Sequence, residues 1–266
     1  MNLKEVTLKV VELTKIIGQY IQSEATRFST NDVEEKGLHD LVSYVDKEAE
    51  KRLVKALSEI VPEAGFIAEE SPQLKRSNKL NWIVDPLDGT TNFIHRVPVY
   101  SVSIALMDKN ELVSGVVYEI NLDECFYAWK GGPAFLNNIP IKVSPSKRLE
   151  QSLVATGFPY HDYSLMKPYL KLFDDLMKTT RGIRRLGSAA VDLAYVACGR
   201  FELFYEYSLK PWDVAAGAFI VQQAGGHLTD FKGGDNYLFG GQIVASNKII
   251  HDEIMKKIQR HFRGTI

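Results

Sequence analysis

Apolar residues at Val6, Leu8, Val10, Leu13, Ile16, Ile17 and Ile21 fall close to a helical stripe. That period predicts a helix over residues 3–25 with one buried stripe. The polar stretch 30–40 breaks the pattern and predicts an exposed loop. Ser43-Tyr44-Val45-Asp46 has the spacing of a capping box, with Asp in place of Glu, so a second helix starts there. Ala49, Leu53, Ala56, Leu57 and Ile60 share one of its faces, and Pro62 helps to end it.

The period then changes. Gly65-Phe66-Ile67-Ala68 and Asn81-Trp82-Ile83-Val84 are short apolar runs, the pattern of buried strands. The first runs directly into Glu69-Glu70 and the second into Asp85. Both therefore deliver acidic residues at their carboxyl ends, where open sheets usually place ligands. Residues 99–135 are strand-rich, with runs at 100–106, 113–120 and 125–129 separated by polar or glycine-containing turns, which predicts an antiparallel meander. The chain then alternates: a strand at 153–156, helices at 165–177 and 189–197, a strand at 201–205, a helix at 214–224, a strand at 242–245 and a last helix at 249–262. No flexible linker or repeat divides it. The economical reading is a single unit over 1–266, with halves 1–150 and 151–266 sharing one cleft.

Composition narrows the chemistry. With 45% hydrophobic and 24% charged residues in 266, the chain can bury a substantial core. A formal net charge of -1 supplies no field that would recruit nucleic acid or an anionic membrane. An anionic substrate would have to be held by bound cations or oriented backbone dipoles. The two cysteines, Cys125 and Cys198, make no disulfide framework and fit a reducing compartment as small buried hydrophobes. No run approaches the ~18 apolar residues of a membrane span, and the N-terminus lacks a signal-peptide pattern, so the expected location is the cytoplasm. The six histidines show no metal-ligand spacing.

The acidic cluster is the focus. Carboxylates crowded at the end of an apolar strand repel one another unless a cation neutralises them. Hard oxygen ligands suit Mg²⁺, which commonly keeps several waters and takes substrate phosphate as a further ligand. The spacing of Asp85 and Asp88 lets both converge if the intervening residues turn, and Pro86 assists the turn. The Leu87 carbonyl would then point inward. Gly89-Thr90 follows, and a helix starting there would aim free N–H groups at an anion. In isolation Asp-Pro-x-Asp-Gly also fits an ordinary turn whose aspartates cap a helix. The full string to Asn92, preceded by Glu69-Glu70, argues for the site instead.

The sequence resembles the inositol monophosphatase-type, lithium-sensitive phosphatases. The resemblance is carried by Phe66-Ile67-Ala68-Glu69-Glu70-Ser71, by the string from Trp82 to Phe93, by Gly187-Ser188-Ala189-Ala190, by Trp212-Asp213 through Gly217, and by Ala224-Gly225-Gly226, in the family's order. It implies an α+β, layered α-β-α-β-α sandwich, usually dimeric. It further implies that Glu69, Asp85 and the Leu87 carbonyl hold one Mg²⁺, that Asp85, Asp88 and Asp213 hold a second, and that a weaker third ion lies near Glu69. Asp46 matches the aspartate that supports Thr90, the pair orienting the attacking water. Gly89 and Thr90 would bind phosphate, with Ser188, Ala189 and Glu206 against the substrate's hydroxyls. Arg184 matches an arginine placed near the substrate or at a dimer interface.

The chain departs from the family pattern at Pro133 and Asn138, in turns away from the proposed ligands. Thr91-Asn92-Phe93 favours the inositol-phosphate branch. That branch also accepts glycerol 2-phosphate, nucleoside monophosphates and sometimes fructose 1,6-bisphosphate. A rival reading comes from another class: a regulatory protein acting through protein contacts in the transcription machinery. Retention of every proposed ligand favours the enzyme.

Overall fold

The computed structural model describes residues 1–28, 33–37, 40–160 and 162–266. Helix α1 (Leu3–Ala25) is capped by Asn2, whose side chain accepts from the Glu5 amide. The segment expected to be a loop contains a hairpin of β1 (Val33–Gly37) and β2 (Asp40–Ser43), paired antiparallel. Runs of four and five residues are too short to show an alternation in the sequence. Residues 29–32 and 38–39, including His39, lie outside the described residues, as does His161. Helix α2 (Tyr44–Ile60) starts at the expected capping box, with Ser43 and Asp46 satisfying each other's backbone groups.

Strands β3 (Gly65–Ala68) and β4 (Leu80–Asp88) are parallel neighbours. Beyond β4 and the short helix α3 (Thr90–Ile94) come β5 (Ser101–Asp108), β6 (Glu111–Glu119), β7 (Glu124–Trp129), β8 (Ala134–Leu136) and β9 (Ile139–Ile141). Together β3 to β9 form a seven-stranded sheet in chain order, antiparallel from β4 onward. Asn137 and Asn138 both take positive φ in the turn between β8 and β9, a conformation asparagine tolerates.

The remainder supplies β10 (Leu153–Thr156), α4 (Met166–Thr179), β11 (Gly182–Arg184), α5 (Ala189–Ala197), β12 (Leu203–Tyr207), α6 (Pro211–Gln223), β13 (His227–Thr229), β14 (Gln242–Ser246) and α7 (His251–His261). A second sheet runs β11-β10-β12-β14-β13. The three-residue strands β11 and β13 were not expected from the sequence; three residues show no period.

Side-chain parity fixes the layers. Trp82, Val84 and Val102 face a core shared with α1 and α2. Their neighbours Ile83 and Ala105 face the opposite way, toward α5, α6 and the residues Phe204 and Ala245 of the second sheet. Leu203, Tyr205 and Val244 then face α4 and α7. The result is an α-β-α-β-α sandwich. Its central helix α6 is apolar on all sides, as a helix buried between two sheets must be. Pro211 opens α6 with a preset φ, and Gly225, at φ +89°, closes it. Among the described residues no helix is long and apolar enough to cross a membrane.

Small residues bring α6 close to the first sheet. A Cβ at Gly115 of β6 would stand 2.7 Å from the Ala216 carbonyl oxygen. Gly115→Val is therefore expected to destabilise the fold by about 2–3 kcal/mol, read as a lower urea midpoint at unchanged m-value.

Candidate active site

The parallel pairing of β3 with β4 sets Ala68 beside Val84, so Glu69 and Asp85 leave the sheet together. The Glu69 amide donates to the Val84 carbonyl at 3.3 Å. In a regular strand, Asp85 and Asp88 would point to opposite faces. The ladder to β5 shifts between them: Asp85 pairs with Ser103 but Asp88 with Ser101, so three steps on β4 match two on β5. The extra residue corrects the parity. It also allows Asp85 Oδ1 to accept from the Leu87 amide at 3.0 Å. Gly89 follows at φ +99°, where a Cβ would meet the Val99 carbonyl oxygen at 3.0 Å.

Asp46 uses both its oxygens. Oδ2 accepts from the Ser43 amide (2.9 Å) and hydroxyl (2.6 Å), and Oδ1 accepts from the Thr90 hydroxyl at 2.8 Å. The Leu87 carbonyl lies 3.0 Å from the same Thr90 oxygen. Asn92 ties this turn to the second half, its Nδ2 donating to the carbonyls of Val99 and Leu186. Ser188 caps α5 by accepting from the Val191 amide and donates its own proton to Asp88 Oδ2 at 2.6 Å. The Ala190 amide donates to the same carboxylate oxygen at 2.7 Å. Asp213, in the first turn of α6, accepts from the Lys210 amide at 2.6 Å.

These residues surround a cavity of about 470 Å³. The structure brings Glu69, Asp85, Leu87, Asp88 and Asp213 to its wall, and Gly89, Thr90, Ser188, Ala189 and Glu206 as well. Asp46 stands behind Thr90, fully buried. Trp212 is half-buried beside Asp213 and also lines the cavity. Arg184 is not brought there. It is exposed, its Nη1 donating to the carbonyl of Ile183. It ends an edge strand whose alternation turns it away, and the next residue, Arg185, reaches the cavity instead. Arg185 Nη2 donates to the Tyr160 hydroxyl at 2.8 Å. Asp192 is a wall residue that sequence reasoning missed. Its signal was a lone acid in an otherwise apolar helix.

Burial, and repulsion among them, raises the carboxylates of the cavity. Burial, then repulsion by Glu69, Asp88 and Asp213, raises Asp85 well above the usual carboxylate range. Burial raises Asp88 to about 6 against the opposing hydrogen bonds from Ser188 and Ala190. Burial and Asp88 raise Asp213 to about 7. Glu206 is pushed to about 8 by burial and then by Asp213, with Arg185 easing it. Asp192 is raised well up by burial, Glu206 and Asp88. So dense a set of hard oxygen donors, with little cationic charge beside it, fits a divalent cation such as Mg²⁺. Among the described residues no three such side chains already stand as a closed ligand set. Asp88 and Asp213 each have one oxygen engaged by protein donors.

The sequence profile of the Inositol monophosphatase family matches residues 2–263. The chain belongs to the inositol monophosphatase family. Its likeness to the Nus factor SuhB of Pseudomonas aeruginosa is 42% identity over 249 residues, covering 92% of each chain. With the inositol-1-monophosphatase of Rhizobium meliloti it shares 42% identity over 226 residues, 85% of each. The solved inositol monophosphatase of Anabaena (Nostoc) superposes with a TM-score of 0.86 at 34% identity, covering 98% of this chain and 97% of that one. The family is one of metal-dependent phosphatases, and the layered sandwich is its fold.

Proposed function

We propose that this protein hydrolyses small phosphomonoesters, myo-inositol 1-phosphate among them, by in-line attack of water and without a covalent enzyme intermediate. The observation that carries this reading is the convergence of four strand-end and helix-start carboxylates on one cavity that Thr90, backed by Asp46, also lines. Glu69, Asp85 and the Leu87 carbonyl would hold one Mg²⁺, and Asp85, Asp88 and Asp213 another, with a third near Glu69. Bound Mg²⁺ supplies polarisation of the phosphoryl oxygens, a more acidic water and stabilisation of the leaving oxygen.

The chain's own residues do the positioning. The Thr90 proton is held by Asp46 at 2.8 Å, so the Thr90 oxygen presents its lone pairs to the cavity. There it accepts a hydrogen bond from the attacking water and orients it. The Gly89 and Thr90 amides, at the start of α3, donate to the phosphate. Ser188, Ala189 and Glu206 face the alcohol. Arg185 takes the substrate-side role that the sequence had suggested for Arg184. Arg185→Ala is expected to raise KM for phosphomonoesters about 5- to 30-fold, the loss of a charged hydrogen bond. Arg184→Ala should stay within about twofold. Steady-state kinetics of both variants checks the pair.

The test of the function is a phosphomonoester panel with Mg²⁺, with and without Li⁺. It would include inositol 1-phosphate, glycerol 2-phosphate, a nucleoside monophosphate and fructose 1,6-bisphosphate. Mg²⁺-dependent turnover that Li⁺ suppresses supports the reading, and no turnover on any of them overturns it. A homodimer in the cytoplasm is part of the same proposal. The 42% identity to the Nus factor SuhB favours a second reading: a role in the transcription machinery through protein contacts. A near-neutral chain offers no general field for RNA.

A further inference from the structure

The inner side of α2 is apolar at Val45, Ala49, Leu53 and Leu57, all fully buried, yet two acids lie buried with them: Asp46 and Glu50, at 0% and 1% exposure. These are four residues apart, about one helical turn, and so project from one face. Asp46 holds the Thr90 hydroxyl. Glu50 is not among the residues of the cavity wall, and a buried carboxylate is costly unless it finds a donor. Its donor is backbone: Glu50 Oε2 accepts from the Glu70 amide at 2.8 Å.

The place of that amide gives the contact its meaning. The parallel ladder sets Ala68 beside Val84, and the Glu69 amide bonds across to the Val84 carbonyl. The next N–H belongs to the peptide unit joining Glu69 to Glu70, and it turns from the sheet to Glu50. A peptide unit is planar, so each residue has only two soft backbone dihedrals. Glu69 is held on both sides of its Cα, by β4 through its own amide and by Glu50 through the following one. That sets the direction of its Cβ, and with it the delivery of the side chain to the cavity wall.

We propose that Glu50 is a positioning residue for the cation site: by holding the Glu69–Glu70 peptide it aims the Glu69 carboxylate, and so governs affinity for Mg²⁺ from outside the cavity. This rests on the metal-dependent reading above and deepens it, since it names what orders one of the ligands. One face of α2 then serves two tasks, the water-orienting hydroxyl through Asp46 and the cation through Glu50.

The test compares wild type with Glu50→Met, Glu50→Ala and Glu50→Gln. Binding is read without turnover, as the rise in melting temperature on titration with Mg²⁺, and kcat and KM for inositol 1-phosphate are measured against Mg²⁺ concentration. The methionine variant keeps the side chain's length and helix preference but offers no oxygen. The glutamine variant keeps an oxygen that accepts from the amide. Glu50→Met is expected to raise the half-saturating Mg²⁺ concentration about 10- to 100-fold in both titrations, the usual cost of losing a group that orients a ligand. KM for the substrate at saturating Mg²⁺ should stay within about twofold, because Glu50 touches no substrate. Glu50→Gln should restore the Mg²⁺ requirement to within about fivefold of wild type. Glu50→Ala carries the comparison if the methionine variant does not fold. An unchanged Mg²⁺ requirement in either folded variant would overturn the assignment. So would an equal loss in Glu50→Gln, which would mean that Glu50 acts through its charge, and so would failure of both Glu50→Met and Glu50→Ala to fold, which would mean that it serves the fold alone. Wild type that neither binds Mg²⁺ nor turns over would instead sink the phosphatase reading, and this assignment with it.

Discussion

Asp85→Asn is expected to lower Mg²⁺-dependent kcat/KM by about a thousandfold or more while raising the melting temperature of the metal-free protein. The two effects share one cause. Asp85 is 2% exposed and is repelled by Glu69, Asp88 and Asp213, so its charge opposes folding until a cation arrives. Asparagine retains a carbonyl oxygen to accept from the Leu87 amide, now at 3.0 Å. The fold therefore loses a repulsion and keeps the turn. Metal ions contribute several kcal/mol of transition-state charge stabilisation, and each ~1.4 kcal/mol is tenfold in rate. Loss of a residue that would hold Mg²⁺ thus costs about three decades. Steady-state kinetics and a thermal melt in chelator check both halves. A variant that retains Mg²⁺-dependent turnover would remove Asp85 from the proposed metal site. A lower melting temperature would mean that Asp85 stabilises the metal-free fold.

The second large effect is a pH dependence that Mg²⁺ reverses. Asp88, Asp213 and Glu206 lie at about 6, 7 and 8 in the folded protein, whereas unfolded carboxyls titrate near ~4. Between those values the native state binds more protons than the unfolded chain, so stability falls as pH rises. The stabilisation is fully present below pH ~4, declines as pH rises from there, and is wholly lost once pH passes about 8. In chelator the melting temperature should therefore drop between pH 5.5 and 8.5, apart from any general acid effect. Mg²⁺ held by the ionised carboxylates, as proposed, should raise the melting temperature more at pH 8 than at pH 6. Calorimetry in buffers of different ionisation enthalpy should show proton release on binding. A metal-free protein that gains stability across that window would contradict the electrostatics described here.

The strand ends, α6 and the capping box at Ser43 were legible because each is written locally. An apolar run that stops at an acid, an unbroken apolar stretch over 214–224 and a Ser three residues before Asp all carry their meaning in a few neighbouring positions. The family resemblance supplied the order of the layers, which no local pattern contains. The hairpin of β1 and β2 and the strands β11 and β13 were not legible, because three to five residues show no period and pairing decides them. The site shows the same division. Asp85 and Asp88 announced themselves, but the one-residue shift against β5 that turns them to a common side appears only in the ladder. Arg185 was not told apart from Arg181 and Arg184, its companions in a small basic cluster, and Asp192 was missed, for a related reason. Which of two adjacent arginines turns inward depends on where β11 ends, and whether a helical acid is partnered depends on what packs against it.

The two oxygens of Asp46 join processes usually treated apart. One closes the first turn of α2, and the other holds the proton of Thr90. Nucleating that helix and readying the water-orienting hydroxyl are therefore one event, because the carboxylate is fixed for one task only when it is fixed for the other. Competence for chemistry is in this sense tied to the formation of the first turn of α2. A chain whose sheets have closed but whose α2 is still frayed at its start would contain every ligand and lack the hydroxyl's anchor.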